Sequence, residues 1–555
     1  MQASDVQSAS AGYAEGVLVR MILQQGHSHQ SVLVRVHLTP NKSKAEGAKG
    51  TLAPMSLLPT RYSNHWGHQM IQSVKNKAQL KVLTDDQVDR IHEASLKILE
   101  RTGLRIDSED AQKRLLKNGA AKHPTRKNVL TFPKSMVEES IKKVPPYGKY
   151  FARDPKNDVT FDGETTYAHP EGGNPNFMDL ETGEIRRSTF NDLAEASRVI
   201  DALDYSAMAG NLVVATDVPG PILVIKTMEA MMKNTTKCIS GYALKKEEVD
   251  AQVKMWSVVA GGAEQLRKRP LFGIYGSPSS PLTYDSHVCD IMIKGAEYGL
   301  PVDIVPCPIS GGTAPITLSG GLAQQNAELL GGVMLLQTVS TKLPIMYCGR
   351  LSIMDQRTGS NIWGVPEMAM VSAATVQIAH KYHMTADVYG VTTDTNSWDM
   401  QTGLERMEAA MVPGLAGADS LSGMGGMWGN ACSFEMLVID NEIYADIFRT
   451  IRGFEVDDEH LALDIIDRVG HMGNFLSQQH TMKYLRLGEV RNSPLFDKRT
   501  SDRTKREGFK ALQTVAKEHA KKLLKEHMPT PLDKSIERDL YQVIKEESKK
   551  LLAGS

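Results

Sequence analysis

The sequence predicts an α/β protein: a closed (β/α)8 TIM barrel with an N-terminal helical extension and C-terminal helices. Three observations carry this. Short β-rich runs begin near Ser206, Lys237, Leu271, Val302, Pro344, Ala386 and Ser420, and the intervals between them are each the size of one strand plus one helix. Long helical patterns fill the gaps, notably 318–339, 366–382 and 402–415. The chain has 555 residues, 41% hydrophobic and 23% charged, which is enough for one large barrel in an ordinary globular composition. An eighth strand is expected over 436–439, and closure is favoured over an open doubly wound sheet.

In chain order, residues 1–75 mix Gln, Ser, Gly and His with short apolar pieces such as Val32-Leu33-Val34, and they support no particular fold. They read as an extension, or as sequence upstream of a native start at Met55 or Met70. A mixed helical region follows over 76–164. Thr84 and Gln87 form a capping box, Val88, Ile91, Ala94 and Ile98 share one face, and Gly103 stops the helix. Thr189 with Asp192 opens a second helix through Leu193 and Ile200. The barrel is expected over 165–455. From 456 to 555 the chain reads as helices packed on the barrel, with Phe509, Leu512, Val515 and Leu523 on one stripe.

The net charge is -1, from 64 Lys plus Arg against 65 Asp plus Glu, so no overall field draws the molecule to nucleic acid or an anionic membrane. No apolar run is long enough to span a bilayer, and no secretory signal is evident. The five cysteines are scattered, without a C-x-x-C pair, which suits reduced thiols in a cytoplasmic setting.

In a (β/α)8 barrel the strand-following loops gather at one end, where the chemistry sits. Trp363, Trp398 and Trp428 fall in or near three of those loops, and Tyr275 and Tyr347 end two strands. Aromatic faces suit a cation that cannot donate hydrogen bonds, such as a trimethylammonium group, at about 0.5–2 kcal/mol per ring; the same rings also suit burial as barrel lids. Asp355 and Glu367 flank Trp363, and Asp394 and Asp399 flank Trp398, as charge partners or as turn and cap groups. Arg350 and Arg357 suit a substrate carboxylate, or an ion pair with a neighbouring acid. The segment from Ile309 to Pro315, with Gly311, Gly312 and Thr313, lets bare backbone approach a bulky ligand or simply turns. Cys307, Cys348 and His287 are the residue types of a zinc triad, but their spacing is not that of a recognised close pair, and no metal is expected. His169, His383, His471 and His480 read as hydrogen-bonded structural histidines.

Several segments in order resemble the trimethylamine:corrinoid methyltransferase family over roughly 80–530. They are Asp179-Leu180-Glu181-Thr182-Gly183-Glu184, Gly312-Thr313-Ala314-Pro315 running into Gln325-Asn326-Ala327-Glu328, and Met354-Asp355-Gln356-Arg357-Thr358-Gly359 with Gly364-Val365-Pro366-Glu367. Asp394 with Asp399, Gln401 and Gly403, then Leu437-Val438-Ile439-Asp440-Asn441-Glu442, and Gly473-Asn474-Phe475-Leu476 with His480-Thr481 continue the likeness.

The resemblance implies a (β/α)8 barrel that passes a methyl group from a methylated amine to the cob(I)alamin of a corrinoid carried by a separate protein, with no permanently bound cofactor. The nearest approach to a corrinoid-binding D-x-H-x-x-G is Asp285-Ser286-His287, which has Asp290 in place of the glycine. Members with a UAG-encoded pyrrolysine act on trimethylamine, and those without it on quaternary amines such as glycine betaine. Only the twenty common residues occur here, which favours a quaternary amine; a pyrrolysine not visible in the sequence, or a non-catalytic betaine-binding protein, are the alternatives. The implied assignment gives Tyr347, Trp363 and Trp398 to the cation and Asp355, Glu367 or Asp394 to charge. Arg350 or Arg357 would take a carboxylate, and Gly311, Gly312 and Thr313 would contact the corrinoid. The expected partners are a corrinoid protein, a small methylated amine and further copies of the chain in a homo-oligomer.

Overall fold

The computed structural model describes residues 71–554 except Gln79 and Gly429, together with two short strands, Leu18–Met21 and Val32–Arg35. Residues 1–65 and 66–555 form two compact units. Within the first, the two strands pair antiparallel with Leu18 opposite Arg35. Of the extension expected over 1–75, Val74 and Lys75 form a strand that pairs antiparallel with Thr166 and Thr165; apart from 71–75 and the two strands, the rest, with Met55 and Met70, lies outside the described residues.

The second unit is built on eight strands: β1 (Thr165–Pro170), β2 (Met208–Ala209), β3 (Cys238–Gly241), β4 (Phe272–Gly276), β5 (Val302–Ile304), β6 (Ile345–Cys348), β7 (Thr385–Val388) and β8 (Ser420–Met424). Helices follow them in turn: α1 (Phe190–Ala202), α2 (Gly220–Asn234), α3 (Lys246–Ala260), α4 (Ser286–Tyr298), α5 (Leu318–Gln337), α6 (Pro366–Lys381), α7 (Met400–Leu415) and α8 (Phe434–Arg452). Neighbouring strands pair in parallel from β2 to β8. Strand β8 pairs with β1, Leu421 opposite Ala168, and Ala207 N donates to Ala168 O at 2.7 Å. The ring is therefore closed, and the fold is a (β/α)8 barrel.

The expected eighth strand over 436–439 is instead part of α8. Ser433 caps that helix by accepting from Met436 N, and a short apolar run has no period of its own to separate strand from helix. The missing strand is β1, whose Thr-Thr-Tyr-Ala-His-Pro sequence lacks an apolar signature. The predicted capping box forms at Thr84 with Gln87, and the N-cap expected at Thr189 also closes as a capping box with Asp192.

Strand alternation divides the core. On β6, Ile345 and Tyr347 join the layer shared with the helices, while Met346 and Cys348 join the barrel interior. Tyr150, Phe161 and Tyr167 plug the interior from the end where the strands begin, with edge-to-face ring pairs at 5.5 Å. At the C-terminus the buried face of the helix Leu512–Glu526 is Ala516, Ala520 and Leu523; Phe509 precedes that helix and is exposed. Among the described residues no helix is long and apolar enough to cross a membrane.

Candidate active site

Alternation along the strands also decides what reaches the open end. Residues at or just past the strand ends include His169 on β1 and Glu171 after it, Tyr242 after β3, Tyr275 on β4, Cys307 after β5, Arg350 after β6, and Asp387 with Tyr389 on and after β7. Glu171 touches solvent, yet desolvation pushes its carboxyl up to about 7. Cys307 is likewise exposed, yet its thiol is raised by desolvation. These groups, crowded by protein yet open to solvent, mark the recess at the strand ends as the candidate site.

One side of the recess is a fixed polar chain. His169 Nε2 lies 2.9 Å from Asp387 Oδ1, and Arg350 is bound to the other oxygen of Asp387. Arg350 also donates to the Asp387 carbonyl at 2.7 Å, and its guanidinium carbon stands 5.0 Å from the Tyr389 ring centroid. Burial alone would raise the Asp387 carboxyl, but Arg350 and His169 outweigh it and hold the group well below the usual carboxylate range. Deeper in the barrel, Asp303 accepts from Tyr150 Oη at 2.6 Å; desolvation pushes it up to about 7, and the nearby Asp387 adds to the rise.

The other walls are aromatic. Tyr242 and Tyr275 stack with centroids 6.4 Å apart, and desolvation pushes the Tyr275 hydroxyl up to about 12. Trp363 meets Tyr389 edge to face at 4.8 Å. Glu171 has no side-chain hydrogen bond among the described residues. Its charged neighbours are Arg406, which opposes the desolvation, and Asp440, which adds to it. Those two are already paired with each other at 3.0 Å. Since Arg350 and Asp387 cancel, the carboxylate left uncompensated in the recess is Glu171.

The residues expected from sequence fall into several groups. Trp363 and Arg350 reach the recess. Arg350 is 8% exposed and committed to Asp387, so it holds that carboxylate and backs Tyr389 instead of standing free for a substrate carboxylate. Asp394 accepts from the backbone of Trp363 and Gly364, both at 2.7 Å; it fixes the loop that carries Trp363, and desolvation raises it. Asp355 closes its own turn, accepting from Arg357 N and Thr358 Oγ1, and the exposed Arg357 pairs with it. Glu367 is exposed on the first turn of α6.

Tyr347 requires a correction: it is fully buried and donates to Asn326 Oδ1 of α5 at 2.9 Å. Its place on the outward parity of β6 turns it toward the helices. Trp398 is also removed from Trp363. It pairs with Trp428 at 5.8 Å, packs by Met178, Met427 and Met436, and lines a separate cavity of about 250 Å³ between α7, α8 and residues 511–513.

Gly311, Gly312 and Thr313 form a tight turn at the rim, over a small sheet of residues 309–310, 352–354 and 361–362. A β-carbon on Gly311, at φ +88°, would lie 2.2 Å from the Gln356 amide, and one on Gly312 would lie 2.5 Å from Met354 Cε. Thr313 Oγ1 is used internally, accepting from Ile309 N. Of the three, Gly312 is the exposed one. Cys307 and Cys348 end adjacent barrel strands while His287 lies exposed on α4, and among the described residues no three metal-ligating side chains converge.

Sequence reasoning missed Glu171, Tyr242, Asp303, Asp387 and Tyr389. Asp303 and Asp387 carried a signal, as single acids inside the apolar strands Val-Asp-Ile and Thr-Ala-Asp-Val. Glu171 carried none once β1 itself went unrecognised.

The geometry can be set beside known proteins. A family model described as trimethylamine methyltransferase (MTTB) matches residues 59–551. The chain is 31% identical over 464 residues to trimethylamine methyltransferase MttB of Desulfitobacterium hafniense, covering 83% of this chain and 93% of that protein. It is 29% identical over 475 residues to a glycine betaine methyltransferase of Desulfitobacterium hafniense strain Y51, covering 85% and 98%. Among solved structures, the monomethylamine methyltransferase of Methanosarcina barkeri is similar with a TM-score of 0.43 at 12% identity, covering 86% of this chain and 96% of that one.

Proposed function

The chain belongs to the trimethylamine methyltransferase (MTTB) family, and from that premise we propose that it is a methyltransferase moving a methyl group from a quaternary amine of the betaine type to the cob(I)alamin of a separate corrinoid protein. The observation that carries the reading is Glu171. Its carboxyl is raised by the protein crowding it and has no side-chain hydrogen bond among the described residues, and it shares the strand ends with the ring pairs Tyr242–Tyr275 and Trp363–Tyr389. A quaternary ammonium offers no donor, and its charge is met by a carboxylate and by ring faces worth about 0.5–2 kcal/mol each.

The chemistry asked of these residues is positioning. A quaternary nitrogen is already a competent leaving group, so departure needs no general acid. The recess strips water from the cation, and Glu171 holds its charge. Asp394 fixes the Trp363 loop, while Arg350 and His169 fix Asp387. When docked at the rim, the corrinoid supplies the cobalt nucleophile that accepts the methyl group. Gly312 and the neighbouring Ile316, which is 56% exposed, give that rim a small apolar edge on which a planar macrocycle can rest.

A donor screen tests this. Tetramethylammonium, glycine betaine, carnitine and trimethylamine are incubated separately with the enzyme and reduced cobalamin, and methylation of cobalt is followed by absorbance. The quaternary donors are expected to react; turnover of trimethylamine alone would overturn the choice of substrate.

A further inference from the structure

Arg406 of α7 is 1% exposed, and its guanidinium is only partly matched. Nη1 donates to both carboxylate oxygens of Asp440 at 3.0 Å and to the Val391 carbonyl at 3.3 Å, and Nη2 donates to the Gly426 carbonyl. Nε has no hydrogen-bond partner among the described residues. Leaving a buried donor unmatched is costly, and native proteins seldom do so. Arg406 also lines the cavity of about 250 Å³ between α7, α8 and residues 511–513. Methyl transfer at the recess gives that cavity nothing to do.

The walls of the cavity select what it takes. Trp398, Met436, Ile439, Ile443 and Leu512 supply an apolar lining, and an apolar cavity of about 150 Å³ is already enough to admit benzene. A ring with one further group fits here. Charge selects that group. Arg406 is neutralised by Asp440, and Asp399, which caps α7 by accepting from Thr402 N at 3.2 Å, brings a further carboxylate to the wall. An anion would therefore meet an excess of negative charge, while a cation would face the donors of a guanidinium. A neutral group with an acceptor oxygen avoids both conflicts. The wall also includes Gly403, inside α7. Its φ is not left-handed, and a β-carbon there would meet nothing within 4 Å. Alanine would favour the helix at that position, so the backbone does not require the glycine, and open space lies where a side chain would stand.

We propose that the cavity between α7, α8 and residues 511–513 is a second binding site, for a neutral, mainly apolar small molecule whose single carbonyl-type oxygen accepts from Arg406 Nε. Three probes of nearly equal size test it by calorimetric titration of the whole chain. Acetophenone carries the acceptor, α-methylstyrene replaces that oxygen with a CH2 group, and benzoate adds a charge. Acetophenone is expected to bind with a dissociation constant on the order of 1 mM or tighter, and about tenfold or more tighter than either of the other two. Gly403→Leu, which fills the open space, is expected to weaken acetophenone binding about tenfold or more without lowering the melting temperature, whereas Gly403→Ala keeps most of the affinity. Tetramethylammonium, directed at Glu171, is expected not to displace acetophenone. The absence of saturable acetophenone binding, equal affinity for α-methylstyrene, or tighter binding of benzoate overturns the proposal, and none of these readings needs a variant to fold. Binding that is unchanged in Gly403→Leu, or that is displaced by tetramethylammonium, places the probe elsewhere and overturns it too. The outcome is independent of which amine, if any, is the methyl donor.

Discussion

A β-carbon placed on Gly426 would fall 1.5 Å from Oε2 of Glu171. The carboxylate thus occupies space that exists because residue 426 has no side chain, and Glu171 N is meanwhile held by the Met424 carbonyl at 3.0 Å. Gly426→Ala has no left-handed backbone to strain, since the positive-φ glycines nearby are Gly423 and Gly425. The methyl group therefore displaces the flexible end of Glu171 and little else. The expected outcome is a tenfold or greater weakening of binding for a trimethylammonium ligand, roughly 1.4 kcal/mol or more, with a small change in melting temperature. Glu171→Gln should match it, and the double variant should be no worse than either single one. Calorimetric titration with tetramethylammonium checks all three.

The same carboxylate predicts a pH dependence. Desolvation holds Glu171 at about 7 in the free protein, so at pH 5 it is mostly neutral and at pH 8 mostly ionised. A bound cation favours the ionised form and lowers that value. Affinity for tetramethylammonium should rise with pH by up to about tenfold per unit below 7 and level off above it. Glu171→Gln should flatten the profile. A profile unchanged in that variant would move the titration elsewhere, to Asp303, which also stands at about 7.

Trp363 and Trp398 give a contrast that their similar sequence settings conceal. Trp363 meets Tyr389 in the recess, whereas Trp398 meets Trp428 beside the α7–α8 cavity. Trp363→Ala should weaken binding of a trimethylammonium compound by about 0.5–2 kcal/mol more than that of its uncharged tert-butyl analogue. Trp398→Ala should leave both affinities nearly unchanged and lower thermal stability instead. Equal losses for the two ligands in Trp363→Ala would reduce that ring to hydrophobic contact.

How much of this was legible in the sequence follows from where the signals lie. Seven strands could be placed because Gly and Pro punctuate the loops around apolar runs, and the capped helices announce themselves through Thr84 and Thr189. Strand β1 could not be, because Thr, His and Pro obscure its period, and with it went Glu171, the acid on which the site turns. The segment Gln325-Asn326-Ala327-Glu328 carries part of the family resemblance, and its side chains bind the fold together. Gln325 Oε1 accepts from Leu351 N at 2.7 Å, and Glu328 accepts from Leu282 N at 2.8 Å. Asp440 likewise serves Arg406 and Gly425 N. A buried polar residue placed for packing and one placed for chemistry read alike until their partners are known.

Tyr347 is the sharpest instance, and it yields the last prediction. Its hydroxyl donates to Asn326 Oδ1 at 2.9 Å, and the Asn326 amide donates in turn to Ser95 Oγ and Tyr382 Oη, both at 2.9 Å. His92 Nδ1 lies 2.7 Å from that same Tyr382 hydroxyl, so one network ties β6, α5, α6 and the helix Asp85–Lys97 together behind the barrel wall. Tyr347→Phe leaves Asn326 Oδ1 buried without its donor, a loss of about 1–3 kcal/mol. Denaturant unfolding should register that loss, while KM for the methylated amine and the affinity for tetramethylammonium stay as they were. Reduced substrate affinity with full stability would return Tyr347 to the ligand. The outward parity of β6, which turns Met346 and Cys348 inward, argues for the loss in stability.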